Sequence, residues 1–167
     1  MKTIRAPALL LGLFYLCFFG YLASTSPQLP ERVATHFDGS GRPNGYMSRT
    51  AYLRFMVVFG LAFPLFVPAL VFATRFLPDR CYNLPHRDYW LAPARRAETM
   101  AYVFGHSLWF SPMALCFVIG IHYSIIQANH SGQAHLSNLL ALALAGCFLA
   151  GTAVWAVSMI RHFNHPA

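Results

Sequence analysis

The sequence predicts an all-α, polytopic membrane protein with four transmembrane helices and a structured loop between the first and second. Three observations carry this. Of the 167 residues, 57% are hydrophobic, above the roughly 45–50% of soluble domains. Only 10% are charged, against about 25% in soluble domains, too few to cover a soluble surface of this size. The apolar residues also gather into four runs free of Asp, Glu, Lys and Arg. At about 1.5 Å per residue, each run reaches across most or all of a ~30 Å hydrocarbon layer.

The first run, 6–23, follows Lys2 and Arg5. A basic start, an apolar core and the small residues Ala23 and Ser24 also fit a cleaved signal peptide. The run is longer than a usual signal core and no clean A-x-A site follows, so an uncleaved first helix is expected. The second run, 55–73, contains Pro64 and Pro68, four apart on one helical face. Each removes a backbone donor, which predicts a bend, read as a packing feature before a gate. The third run, 101–126, holds His106 and His122, and the fourth is 136–160. The fourth carries Gly146 with Ala150 and Cys147 with Gly151, small-xxx-small pairs that allow close helix approach. They suit packing within the chain, with a homodimer seam as the alternative. A single membrane domain over 1–167 results, with an outer loop over 24–54 and an inner loop over 74–100.

Sidedness follows from the basic residues. Lys2, Arg5, Arg75, Arg80, Arg87, Arg95, Arg96 and Arg161 fall on one side, and Arg32, Arg42, Arg49 and Arg54 on the other. Eight against four places both termini in the cytoplasm by the positive-inside rule. The formal net charge of +7 is therefore a topology signal. No basic patch interleaves with aromatic residues as a nucleic-acid groove would require, and no nucleic-acid partner is expected. Cys17, Cys81, Cys116 and Cys147 have no CxxC spacing, so neither a zinc site nor a disulfide framework is implied.

The outer loop is densely patterned over residues 29–46. Asp38-Gly39 and Asn44-Gly45 are turn dipeptides, Gly41 adds a permissive point and Pro43 fixes its φ. A compact turn structure is expected, with Val33, Phe37 and Tyr46 available to cover the helix ends. His36 and Asp38 could form a ligand or ion contact; the structural alternative has Asp38 capping a turn and His36 bonded to backbone. The inner loop reads NLPHRDYWLAPARRAET from Asn83. Tyr89 and Trp90 are types enriched at headgroup depth. Arg87, Arg95 and Arg96 would meet an anionic leaflet, and Pro93 suits the first turn of a helix leading into the third span. With Asp88 and Glu98, these residues form either an interfacial anchor or a docking site for a partner.

The pattern LPxxxxxHFDxxGxPxGY, followed by NLPxRDYWLxPxRRxET, resembles the SdpI-like family of bacterial membrane proteins, whose shared amino-terminal region is a domain of unknown function. The chain would be a short, four-helix member. The resemblance carries over Leu29, Pro30, His36, Phe37, Asp38, Gly41, Pro43 and Gly45 as a signature. It implies a bacterial cytoplasmic membrane, and a role related to signalling or toxin immunity. Relatives protect the cell from a secreted toxin peptide and recruit a cytosolic repressor.

Three function classes remain. The first is a binding or sensing protein, with the lipid bilayer as surroundings, an extracytoplasmic peptide or protein as ligand at His36, Phe37, Asp38, Gly41, Pro43 and Gly45, and a cytosolic or membrane protein partner. The second is an enzyme, which is not the expectation: no Asp or Glu lies in a span, where ionisable groups would mark function. His106 and His122, sixteen residues apart, cannot share a metal. The one metal route would join His36 and Asp38 to His130 or His135. No catalytic residue, metal or cofactor is assigned. The third is an accessory subunit of a larger membrane complex, preferred to a transporter because the spans offer no charged pathway.

Overall fold

A computed structural model describes residues 2–130 and 134–165. Its elements are α1 (Lys2–Thr25), β1 (Arg32–Phe37), β2 (Pro43–Ser48), α2 (Arg49–Thr74), the single-turn α3 (Arg87–Trp90), α4 (Arg96–His130) and α5 (Asn138–Asn164). Among the described residues four helices, α1, α2, α4 and α5, are long and apolar enough to cross a membrane. The protein is an all-α membrane bundle, and the one sheet among the described residues is the two-stranded β1–β2 hairpin.

The helix bounds differ from those of the apolar runs, because polar caps set where α2 and α5 start. Ser48 accepts from the Ala51 amide at 3.2 Å, which starts α2 six residues before Phe55. Ser137 accepts from the Leu140 amide at 3.3 Å and starts α5 at Asn138, two residues inside the run that opens at Leu136. Each cap satisfies one of the four orphan donors of a helix start. Pro93 precedes α4 instead of lying in its first turn; the chain turns there through bonds from the Arg95 and Arg96 amides to the Ala92 carbonyl.

α4 is the hub, packing against α1, α2 and α5. Of its most apolar stretch 56% is buried by the chain itself, against 22% for α1 and α2 and none for α5. Its 35 residues extend about 52 Å, well beyond a ~30 Å hydrocarbon layer. The core runs along the α1–α2–α4 seam through Phe18, Leu22, Tyr52, Met56, Leu115 and Val118. α1 and α2 meet closely where Phe18, fully buried, lies over Gly60; a Cβ there would stand 2.5 Å from the ring.

Both prolines of α2 are buried, and one is answered across the bundle. Pro68 has no N–H for the carbonyl of Pro64. The Ser111 hydroxyl of α4 donates to that carbonyl at 2.8 Å. An unmet acceptor in a lipid-embedded helix thus becomes a tie between helices.

Candidate functional site

The hairpin, the end of α4, the start of α5, the end of α1 and the start of α2 all lie at one end of the bundle. The start of α1, the end of α5 and the 75–95 connection lie at the other. The motif-bearing loop is therefore built into a cap on one end.

Its turn is organised by Asp38. Asp38 Oδ1 accepts from the Ser40 amide at 2.8 Å, the Ser40 hydroxyl at 2.7 Å and the Arg42 amide at 3.0 Å. The Asp38 amide donates to the Arg42 carbonyl, and the Gly41 amide to that of Asp38, both at 2.9 Å. The Ser40 hydroxyl first, and then the Arg42 amide, hold the carboxyl below the ordinary carboxylate range. Gly41 has φ +79°, a conformation glycine adopts without penalty. A Cβ there would overlap the Leu136 carbonyl and the His135 ring.

β1 and β2 pair antiparallel with Ala34 opposite Tyr46, His36 opposite Gly45 and Phe37 opposite Pro43. His36 is exposed, and its Nδ1–H donates to Asn44 Oδ1 at 2.6 Å. Val33 is fully buried and Phe37 packs against the core. Tyr46 turns outward, 45% exposed, beneath the Arg32 guanidinium at 4.4 Å.

Three contacts seat the hairpin. The Asn129 amide, in the last turn of α4, bonds both backbone groups of Ala34: it accepts from the N–H at 2.9 Å and donates to the carbonyl at 3.0 Å. The Leu136 amide donates to the Gly41 carbonyl at 2.9 Å. Asn138 Nδ2 donates to the Gly39 carbonyl at 2.9 Å. Asn129 thus acts as a short extra strand along β1. Sequence reasoning missed it, since the only sign is an amide at the end of an apolar helix.

Beneath the seat lies a polar hub. His122 is fully buried between α1 and α2. The Thr25 hydroxyl donates its one proton to the Tyr21 carbonyl at 2.7 Å, so towards His122 it must accept. His122 Nε2–H therefore donates to Thr25 Oγ1 at 2.8 Å, and Nδ1 accepts from the Tyr52 hydroxyl at 2.7 Å. Every proton in the chain Tyr52–His122–Thr25–Tyr21 has an acceptor, which selects one histidine tautomer. The hub is a packed, hydrogen-bonded histidine.

Between β1, α4 and α5 a groove of about 290 Å³ remains, near the lower end of ligand-pocket sizes. Phe117, Ile121, Ile125 and Leu144 make its apolar walls, and Thr35, His36 and Ser124 are its polar members. His36 and Phe37 thus border a cavity, whereas Asp38, Gly41, Pro43 and Gly45 shape and seat the turn beside it. Thr35 and Ser124 were not singled out from sequence. Among the described residues, no group of three or more His, Cys, Asp or Glu is placed to hold a metal.

The inner-loop residues gather at the opposite end. Trp90 Nε1–H donates to the Phe163 carbonyl at 3.0 Å, and the Thr99 hydroxyl donates to the Trp90 carbonyl at 2.7 Å. Trp90 thereby ties α3 to α4 and α5. Arg95 lies 4.0 Å over the Tyr89 ring, Arg96 pairs with Asp79 at 3.0 Å and Arg87 with Asp88 at 3.4 Å. Glu98 is exposed in the first turn of α4.

The family described as a Domain of unknown function (DUF1648) matches residues 13–63, the stretch from mid-α1 through the hairpin to mid-α2. No curated protein and no solved structure matches the chain.

Proposed function

We propose that the chain is a non-enzymatic binding protein that takes an amphipathic peptide segment into the groove under its hairpin. The observation that carries this is the groove: apolar walls, a polar rim of Thr35, His36 and Ser124, and a β-strand along one side. An apolar pocket beside a strand suits a peptide, which fills the pocket with a side chain and aligns its backbone with the strand. The basic-residue asymmetry supports a groove on the extracytoplasmic face of a bacterial cytoplasmic membrane, with both termini inside. The resemblance to SdpI-like proteins, which meet a secreted toxin peptide, supports the same ligand class and a signalling or immunity role.

The test is photocrosslinking in intact cells from a probe at Thr35, with Ala141→Trp as the variant that fills the groove. A discrete peptide adduct, lost in Ala141→Trp while membrane insertion is retained, is expected. Adducts with lipid alone would sink the reading.

A second reading, an accessory subunit of a larger complex, draws on α5. None of its most apolar stretch is buried by the chain, and a Cβ at Gly146 would meet open space. A stoichiometric membrane partner that is retained in mild detergent and lost in Gly146→Leu would favour it.

A further inference from the structure

We propose that the cleft between the end of α2 and the beginning of α4 binds one anionic phospholipid, its acyl chain between the helices and its phosphate on Arg75. The cleft holds about 250 Å³ and is walled by Val71, Phe72, Met100, Ala101, Val103 and Phe104, with Arg75 at its edge. It lies at the end of the bundle opposite the hairpin groove.

Position and charge identify the occupant. The α2 span closes at Thr74, so Arg75 is the first residue beyond it, at the depth where headgroups meet the chain. Its guanidinium carbon stands 4.4 Å from the Phe72 ring centre and 5.4 Å from that of Phe76. These rings hold the cation beside the cleft. Among the described residues no carboxylate pairs with it: Asp79 is taken by Arg96 and Asp88 by Arg87. The charge is therefore available to an anion from outside the chain.

The walls select what carries that anion. Phe72 and Phe104 meet edge to face at 5.9 Å. Thr74 also lines the cleft but spends its hydroxyl proton on the Val71 carbonyl at 2.7 Å, so Arg75 is the charged donor the lining offers a phosphate. A lipid gains both the cation and the apolar walls. A zwitterionic lipid fills the walls equally, but its own positive group offsets the attraction at Arg75. An anionic headgroup carries no such offset, and the guanidinium matches its phosphate oxygens.

The experiment is native mass spectrometry of the full chain in detergent, titrated with phosphatidylglycerol or phosphatidylcholine of identical acyl chains. Wild type should retain one phosphatidylglycerol, preferred over phosphatidylcholine by about five- to tenfold, the scale of one basic residue at an anionic surface. Arg75→Gln should abolish the preference, Arg75→Lys should keep part of it, and Ala101→Trp should reduce retention of both lipids. Equal retention of the two lipids by wild type overturns the proposal, as does a preference that survives Arg75→Gln. Arg75 is exposed, so its substitution leaves the fold intact, which an unchanged melting temperature verifies.

Discussion

At the scale of single residues, the protein places polar groups where lipid or burial removes water, and answers nearly all of them. His122 is the clearest case, since its two ring nitrogens engage α1 and α2 in complementary senses. His122→Phe leaves the Tyr52 hydroxyl and Thr25 without their partner, and should lower unfolding stability by about 1–3 kcal/mol. Tyr52→Phe should cost less, and the double variant less than the sum, because both remove one bond. Thermal or SDS unfolding in micelles measures all three. Asp38 gives a pH signature. The turn binds its charged form and lowers its pKa from the ordinary 3.8. Its stabilisation is thus fully present above 3.8 and is lost as pH falls through the lowered value. An NMR titration should show the Arg42 amide losing its bonded shift only below the ordinary carboxylate range, and Asp38→Ala should remove that transition.

At the scale of elements, backbone bonding decides how helices and hairpin are held. α2 carries two prolines, yet Ser111 meets the carbonyl left open by Pro68. Ser111→Ala should destabilise by about 0.6–1 kcal/mol. In a Pro68→Ala background, where residue 68 regains its N–H, the same change should cost almost nothing, and unfolding midpoints of the four chains read this directly. The hairpin depends on Gly41, whose φ of +79° and contact with the Leu136 carbonyl admit no side chain. Gly41→Ala should loosen the cap, with faster protease cleavage over 38–42 and faster exchange at the Leu136 amide, while the spans stay inserted.

At the scale of the whole molecule, α4 organises the bundle and the two ends differ in character. One end is a hairpin seated on a histidine hub; the other is an aromatic and arginine-rich junction closed by Trp90. Four spans put the start of α1 and the end of α5 on one side, and the topology proposed from the arginine asymmetry makes that side the cytoplasmic one. In a chain with Cys17, Cys81, Cys116 and Cys147 replaced, a cysteine at Ser40 should react with a membrane-impermeant maleimide in intact cells. One at Ala94 should react only after permeabilisation. The reverse pattern would invert the topology and with it the peptide reading of the groove.

The spans were legible in the residues because a bilayer enforces a long, uncharged run locally, without reference to any other segment. The turn at Asp38 and Gly41 was legible for a similar reason: its hydrogen bonds close within five residues. Pro93 misled, since a residue suited to a helix's first turn serves equally well in the turn before it. What the sequence by itself determined is therefore the local content: four spans, a compact loop and an inner aromatic–arginine segment. The tertiary structure alone decided that Asn129 pairs with Ala34, that Ser111 answers Pro64, that His122 joins Thr25 to Tyr52, and that a groove opens beside His36. The hydrogen bonds among these join residues from 47 to 97 positions apart, and the groove brings His36 to Leu144, farther apart still. Their meeting depends on how the helices dock, which no local pattern encodes.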